Sequence, residues 1–359
     1  MTLCNFFEVK SHFWILMVVA IFSVVFVGCG NPPTEKHSSE KPAWPQLQGY
    51  EAMPVPLDNP MTEEKVALGK QLYYDQRLSG DGSRSCYSCH LKEYGLTDGK
   101  PVAIGAFEKT LTRSSPSLWN VGYHSELYWD GRSGALEKQV KGAWSGGNMG
   151  ASGKNGAPSM DQICESLNEI TDYHEQFQSV FGGPATPDTV AQAVASFMRT
   201  IVATDSAWER FNNGDQSALS TRAQNGWRIF TEKAKCTNCH DGLLLTDLQY
   251  HNVGIGMDKK NPDIGRSKVS GDEKDTGAFK TPTLLDVGRS APYFHDGSIA
   301  TLEEAVDLMA SGGKANKWLD EKNLKDAKDA KLSDEEKADI VVFLQELNVN
   351  YPIEAPTLP

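Results

Sequence analysis

The sequence is short of positive charge, of long apolar runs and of cysteine. Its 359 residues include 35 Lys and Arg against 47 Asp and Glu, which gives a net charge of −12. Nucleic acid is therefore excluded as a partner, because phosphate binding requires a basic surface. The apolar run at residues 13–27 is too short and too close to the N-terminus for a membrane-spanning helix. The composition, 39% apolar and 23% charged, is that of a globular protein with enough apolar sequence for two cores.

The N-terminal segment has the pattern of an export signal. A short stretch with Lys10 precedes the apolar run, which ends in Phe26-Val27-Gly28-Cys29. A small residue followed by cysteine is typical of a lipoprotein cleavage site, so residues 1–29 are predicted to be a signal peptide and Cys29 to become a lipidated N-terminus. An acyl chain there holds a protein on the membrane face without spanning it. An ordinary signal peptide and an uncleaved anchor are the alternatives.

The rest of the chain is predicted to be mainly α-helical, with long loops and little β-structure. Residues 30–58 are rich in proline and polar residues and predict a flexible tether. Apolar residues at helical spacing occur at 68–74 and 190–201, and a helix is predicted to start at Ser333. Residues 144–160 are glycine-rich and predict a long loop.

Two C-x-x-C-H sequences, at 86–90 and 236–240, carry the chemistry. This pattern is the attachment signature of c-type haem, because two thiols add to the haem vinyl groups and the next residue then lies under the iron. A redox dithiol and half of a zinc site are the alternatives. Two copies in an exported chain favour two covalently bound haem c groups. The predicted attachment residues and proximal ligands are Cys86, Cys89, His90, Cys236, Cys239 and His240.

The two motifs belong to an internal duplication. Each is followed by Leu-Thr-Asp, at 96–98 and 245–247, and each unit closes with a similar helix, in which Phe197 matches Phe343. The motif and the closing helix share nearly the same offset. We therefore predict two cytochrome c-like haem domains, at residues 59–212 and 213–350, with a tail at 351–359.

Further motifs resemble the bacterial di-haem cytochrome c peroxidase family. They are Leu68-Gly69-Lys70, Leu78-Ser79-Gly80, Tyr128-Trp129-Asp130-Gly131-Arg132 and Ala291-Pro292-Tyr293-Phe294-His295-Asp296-Gly297. The resemblance covers roughly residues 60–347. This family also includes the di-haem enzyme that matures methylamine dehydrogenase by oxidising tryptophans of a partner protein.

The resemblance implies a division of labour between the haems. His90 would hold the peroxidatic iron, and His240 the iron through which electrons enter. Trp129 matches the family tryptophan that lies between the haems and helps to relay charge. Gln139 matches a polar residue over the peroxidatic haem.

Met309 decides between branches of the family. It lies fourteen residues after His295, where the peroxidases have the methionine that ligates the second iron and the maturation enzyme has a tyrosine. A thioether ligand raises the reduction potential of a haem. The alternative is core packing, because Met309 shares a helical face with Leu302, Ala305 and Val306.

Two positions depart from the family pattern. Ala106 stands where many members have a histidine that caps the peroxidatic iron, so an open first haem is expected, with Met149 or His124 as alternative ligands. Asn148 stands where the family has a glutamate that shuttles the peroxide proton, which an amide cannot do. The usual calcium-binding asparagine is Ser114 here, which leaves open whether a calcium ion bridges the domains.

The leading hypothesis is a periplasmic, lipid-anchored peroxidase. Hydrogen peroxide would be reduced to water with electrons from a small cytochrome c or cupredoxin, and an acidic surface suits a basic donor. The alternatives are an oxidase that modifies a partner protein and a non-catalytic electron carrier or sensor. A homodimer is compatible with the sequence.

Overall fold

The computed structural model describes residues 44–350 and 352–359. The predicted signal peptide with Cys29, and the predicted tether up to residue 43, lie outside the described residues. No helix within the described part is long and apolar enough to cross a membrane.

The described chain is mostly helical with very little sheet, which confirms the predicted class. Its helices are α1 (Glu63–Tyr74), α2 (Leu136–Ser145), α3 (Met160–Asn168), α4 (Thr171–Phe181), α5 (Pro187–Met198), α6 (Ala207–Asn212), α7 (Thr221–Arg228), α8 (Ser267–Ser270), α9 (Leu302–Ala310), α10 (Glu321–Asp329) and α11 (Asp334–Glu346). A π-helical turn, Ile229–Lys233, continues α7. The strands β1 (Tyr250–His251) and β2 (Phe279–Lys280) pair antiparallel, with Tyr250 opposite Lys280.

Two helix pairs form the framework of the cores. Helix α1 packs on α5 and α7 packs on α11, and each crossing depends on a glycine. A Cβ on Gly69 of α1 would overlap the carbonyl group of Ala193, and one on Gly226 of α7 would overlap that of Asp339. Only glycine allows the helix backbones to approach this closely.

The capping residues explain where the helices of these pairs begin. The Ser333 side chain accepts a hydrogen bond from Glu336 N, and the Glu336 carboxylate accepts one from Ser333 N. This reciprocal cap starts α11 at the predicted position. Thr186 caps α5 in the same way, with Pro187 as the first helical residue.

The internal duplication also includes segments that lie outside the haem motifs and the closing helices. Residues 116–122 (Pro-Ser-Leu-Trp-Asn-Val-Gly) correspond to residues 282–288 (Pro-Thr-Leu-Leu-Asp-Val-Gly). Asn120 and Asp286 both have left-handed backbone, with φ of 59° and 60°, and each precedes a 3₁₀ turn. With the same offset, Trp129 corresponds to His295 and α2 to α9.

Two parts of the fold differ from the sequence-based expectations. Helices α3 and α4 occupy residues 160–181, where no helix is predicted, and α2 continues to Ser145, inside the predicted glycine-rich loop. Within the predicted tether, Leu47 and Met53 are buried beside Tyr123, so this part of the chain is anchored to the folded protein at two points.

Candidate haem sites

Both C-x-x-C-H sequences fold into the same local structure. Each pair of cysteines lies on a 3₁₀ turn, Cys86–Ser88 or Cys236–Asn238, and all four thiols are free rather than disulfide-bonded. Burial raises the pKa of Cys86 and of Cys236 to about 12. A raised pKa disfavours the thiolate that redox exchange requires. Cys89, Cys236 and Cys239 line a cavity, which fits attachment to a haem edge.

The two histidines are prepared in the same way to bind a metal. Nδ1 of His90 lies 3.0 Å from the carbonyl oxygen of Leu96, and Nδ1 of His240 lies 3.0 Å from that of Leu245. A carbonyl only accepts hydrogen bonds, so the proton sits on Nδ1 and Nε2 keeps its lone pair. Burial lowers the pKa of both rings, which favours the neutral form that ligates a metal.

Each histidine lies in the wall of a cavity. The N-terminal cavity has a volume of about 1000 Å³ and is lined by Cys89 and His90. The predicted residues Trp129, Gln139 and Asn148 lie in the same wall. The C-terminal cavity is lined by Cys236, Cys239, His240 and Met309, with apolar side chains around them that include Phe230, Val253, Leu302, Val306 and Leu344. The residues of both sites thus fit a haem.

Trp129 separates the two cavities and lines both. Its indole Nε1 donates a hydrogen bond to the Ser114 carbonyl oxygen at 3.0 Å, and its own carbonyl accepts one from Lys280 N at 2.8 Å. The residue is therefore held by backbone of both halves of the duplication.

The duplication itself shows that the two halves differ at one equivalent helix position. Helices α2 and α9 are equivalent, so Met309 of α9 corresponds to Ala143 of α2, and Ala305 corresponds to Gln139. Met309 lines its cavity, whereas Ala143 has no atom that could ligate a metal. One site thus has a sulfur and the other an alanine at the same structural position.

Comparisons with known proteins agree with this geometry. A family model described as di-haem cytochrome c peroxidase matches residues 63–217. Cytochrome-c peroxidase IdrP1 of Pseudomonas sp. (strain SCT) is 35% identical over 351 residues, which cover 88% of this chain and 90% of the relative. The chain belongs to the di-haem cytochrome c peroxidase family.

Members with different names are similar to this chain. Methylamine utilization protein MauG of Methylorubrum extorquens is 36% identical over 317 residues, covering 86% of this chain and 85% of MauG. The crystal structure of a MauG-like protein associated with microbial copper homeostasis superposes with a TM-score of 0.76 at 31% identity, covering 89% of this chain and 97% of that protein. Sequence identity alone therefore does not separate the peroxidase and MauG branches.

Two amide side chains, those of Gln139 and Asn148, line the N-terminal cavity. Ala106 is buried, and its backbone N–H donates to the Asn148 carbonyl at 2.9 Å, so the two departures lie together. The lining carboxylates Asp130, Asp263 and Asp296 are ion-paired with Arg113 or Lys259. Burial opposes ionisation of these carboxyl groups, but the ion pairs hold their pKa values below the usual range. None of the three therefore carries a proton at neutral pH.

His124 and Met149, the alternative ligands of the first iron, have different surroundings. Met149 is buried in the apolar core. His124 lines the N-terminal cavity, and its buried Nε2 has no hydrogen-bond partner among the described residues. Burial, together with the nearby Lys280 ammonium, lowers the pKa of His124 well below its usual value. Of the two, only the neutral imidazole of His124 lines this cavity.

His251 is a site residue that sequence reasoning missed. Its Nδ1 lies 2.6 Å from an Asp320 carboxylate oxygen and its Nε2 2.9 Å from one of Asp247. Burial opposes protonation, but the two carboxylates and the Cys239 sulfur raise the pKa of His251 to about 11. Cys239, Asp247 and His251 could together hold a metal ion, but attachment of Cys239 to a haem would remove that thiolate.

The calcium position of the family is closed by direct bonds. The Ser114 hydroxyl donates to the Phe294 carbonyl oxygen at 2.9 Å, and the Ser114 N–H donates to that of His295 at 2.8 Å. Calcium requires six to eight oxygen ligands, and the Ser114 hydroxyl is already used in a direct bond between the two halves.

Proposed function

We propose that this chain is a periplasmic di-haem cytochrome c peroxidase, which reduces hydrogen peroxide to water with electrons from a small cytochrome c or cupredoxin. The observation that carries the proposal is the unequal pair of sites. His90 and His240 are prepared identically, but Met309 lines the C-terminal cavity, whereas its equivalent in the duplication, Ala143, offers no ligand. When bound, the haems supply the redox chemistry.

The C-terminal site is suited to receiving electrons. The apolar wall around His240 and Met309 leaves no obvious place for a polar substrate. A histidine and a methionine on one iron give a high reduction potential and no open position. His251, which is held between the Asp247 and Asp320 carboxylates, lines this cavity.

The N-terminal site is suited to holding peroxide. His90 lines the same cavity as the Gln139 and Asn148 amides, so a small ligand bound there would meet both amides. Ala106 cannot ligate the iron. Those amides donate hydrogen bonds and orient a peroxide, but they do not move its proton. We assign proton transfer to ordered water or to the neutral imidazole of His124, whose Nε2 is free of protein partners among the described residues. Trp129 lies between this site and the electron-receiving one.

Export, haem attachment through all four cysteines and lipidation of Cys29 complete the proposal. An acyl anchor would keep the peroxidase on a membrane face, where small redox proteins are available as donors. Replacing Cys29 by serine should move the protein from the membrane fraction to the soluble fraction without changing its haem content.

The test is steady-state peroxide turnover by the two-haem protein. Reduced small cytochrome c and reduced cupredoxin are offered separately as donors, and donor oxidation is measured against peroxide consumed. We expect two donor molecules oxidised per peroxide, and loss of turnover when His90 is replaced by glycine. Haem spectra that do not respond to peroxide would overturn the assignment.

MauG-like oxidation of a partner protein is the second candidate, because similarity to MauG is as high as to the peroxidases. Met309 argues against it, since the resemblance places a tyrosine there in the maturation enzyme. Peroxide-driven oxidation of a co-purified protein in the absence of any reduced donor would favour this candidate.

A further inference from the structure

Three tyrosines form a contact cluster beside the first haem motif. Tyr73 and Tyr74 end helix α1, and Tyr87 lies between Cys86 and Cys89. The ring centroids of Tyr74 and Tyr87 are 4.5 Å apart, those of Tyr73 and Tyr74 5.4 Å, and those of Tyr73 and Tyr87 6.5 Å. The rings therefore touch one another, and Tyr87 is one residue from a predicted thioether bond.

Packing alone does not account for the hydroxyl groups. The hydroxyls of Tyr73 and Tyr74 are buried and have no hydrogen-bond partner among the described residues. Burying an unpaired hydroxyl is unfavourable, whereas phenylalanine would fill nearly the same space without that cost. Since phenols are much easier to oxidise than phenyl rings, the cluster differs from a phenylalanine core mainly in its redox chemistry.

Tyr87 differs from Tyr73 and Tyr74 in its hydroxyl, which is not among the buried hydroxyls without a partner. The residue is only partly buried, and burial together with the negative charge of the exposed Glu93 raises its pKa. Oxidation makes a phenol strongly acidic, so the proton of the oxidised ring can leave from a hydroxyl that is open to solvent. The buried hydroxyls of Tyr73 and Tyr74 have no such route, so a radical formed within the cluster should settle on Tyr87.

We propose that the Tyr73, Tyr74 and Tyr87 cluster conducts oxidising equivalents from the first haem to the surface at Tyr87, where a small phenol or hydroquinone is oxidised. The proposal rests on peroxide reduction at that haem, as put forward above, and adds a second reductant class that does not use the C-terminal haem. Oxidising equivalents would then have two routes from the first haem, one through Trp129 to the second haem and one through Tyr87 to the solvent.

The electrons and protons balance. Peroxide takes up two electrons and two protons and leaves as two molecules of water. Each oxidised phenol of the cluster releases one electron and one proton, and becomes a phenoxyl radical. An external hydroquinone returns one electron and one proton to that radical, so two one-electron oxidations of hydroquinone accompany each peroxide reduced.

The first experiment is EPR of the oxidised two-haem protein, frozen shortly after peroxide is added without a donor. We expect a tyrosyl radical whose hyperfine structure changes when the protein is labelled with ring-deuterated tyrosine. The signal should be lost in Tyr87→Phe and retained in Tyr94→Phe. Tyr94 is a suitable control because it is exposed, lies in the same domain and makes no ring contact with the cluster among the described residues.

The second experiment compares two reductants with the same variants. Peroxide-dependent oxidation of hydroquinone should be lost in Tyr87→Phe, while turnover with reduced cytochrome c stays at the wild-type level. An unchanged radical in Tyr87→Phe, or a radical that deuterated tyrosine does not affect, overturns the inference. If peroxide changes the haem spectra and supports cytochrome turnover without any tyrosyl radical, only this inference fails. If peroxide leaves the haem spectra unchanged, the proposed function and this inference fail together.

Discussion

Met309 and Ala143 show how single residues distinguish two otherwise similar sites. They occupy equivalent positions on α9 and α2, and one offers a thioether where the other has a methyl group. Replacing Met309 by alanine should make the C-terminal haem high-spin and lower its reduction potential, because the strong axial ligand is lost. Optical redox titration measures both effects. Met257→Ala, which removes a methionine that does not line this cavity, should leave them unchanged.

Asn148 gives the second prediction at this scale. Replacing it with glutamate would place a proton-carrying group beside Gln139, and general acid–base catalysis contributes about 10²–10⁴-fold to a rate. We expect the Asn148→Glu variant to raise kcat/KM for peroxide by about 10²-fold. The Asn148→Gln variant controls for the longer side chain. Equal rates in the two variants would show that proton transfer is already supplied elsewhere, for example by His124.

At the scale of elements, the two helix pairs depend on glycine where their backbones approach most closely, at Gly69 of α1 and Gly226 of α7. Gly226→Ala forces a methyl group against the Asp339 backbone, and overpacking of this kind costs about 1–3 kcal/mol of unfolding free energy. Urea denaturation of the holoprotein measures the loss. Gly183→Ala, which meets no atom within 4 Å, should change the stability by less than about 0.5 kcal/mol. A similar loss in both variants would remove the packing explanation.

Secondary structure and motifs can be predicted from the sequence where they depend only on neighbouring residues. The cap at Ser333, the face of α5 and the haem motifs need only neighbouring residues. The equivalence of α2 and α9 is harder to see, because the matched residues differ in type: Trp129 corresponds to His295. At these positions the two halves of the duplication share left-handed backbone and turn geometry rather than the same side chains. Helices α3 and α4 do carry apolar residues at helical spacing, at Ile163, Leu167, Tyr173 and Phe177, and were open to prediction.

Contacts between distant parts of the chain limit what the sequence can show about the site. His251 has no motif of its own, and one of its partners, Asp320, lies 69 residues away. Similarly, the Nε2 of His124 without a partner among the described residues and the bonds of Ser114 to the second half follow from tertiary packing. By contrast, the attachment cysteines and proximal histidines are predicted from spacing alone, since the haem chemistry fixes that spacing.

At the scale of the whole molecule, Arg113 ties the two halves together. It pairs with Asp130 of the first half and Asp263 of the second, both at 2.7 Å. Arg113→Met leaves these carboxylates without their common partner, and the unfolding free energy should fall by about 3 kcal/mol. Arg228→Met, which removes an exposed pair with Glu232 at 3.7 Å, should cost less than about 1 kcal/mol. Thermal or urea unfolding compares the two variants.

The same network predicts how stability depends on pH. Burial opposes ionisation of Asp130 and Asp263, but Arg113 lowers their folded-state pKa values below those of the unfolded chain. Their contribution is therefore present above the unfolded pKa, about 3.9, and is lost as the pH falls through the lower folded values. Urea titrations from pH 6 downward should show a smaller acid-induced loss in Arg113→Met than in the unsubstituted protein. An identical acid response in both proteins would assign the pH dependence to other carboxylates.

EPR of the fully oxidised two-haem protein, before and after one equivalent of peroxide, tests the central claim most directly. The account predicts one low-spin signal from the His240 and Met309 iron and one high-spin signal from the open iron on His90, with the high-spin signal responding first to peroxide. Two low-spin signals that peroxide leaves unchanged, or fewer than two irons per chain, would contradict it.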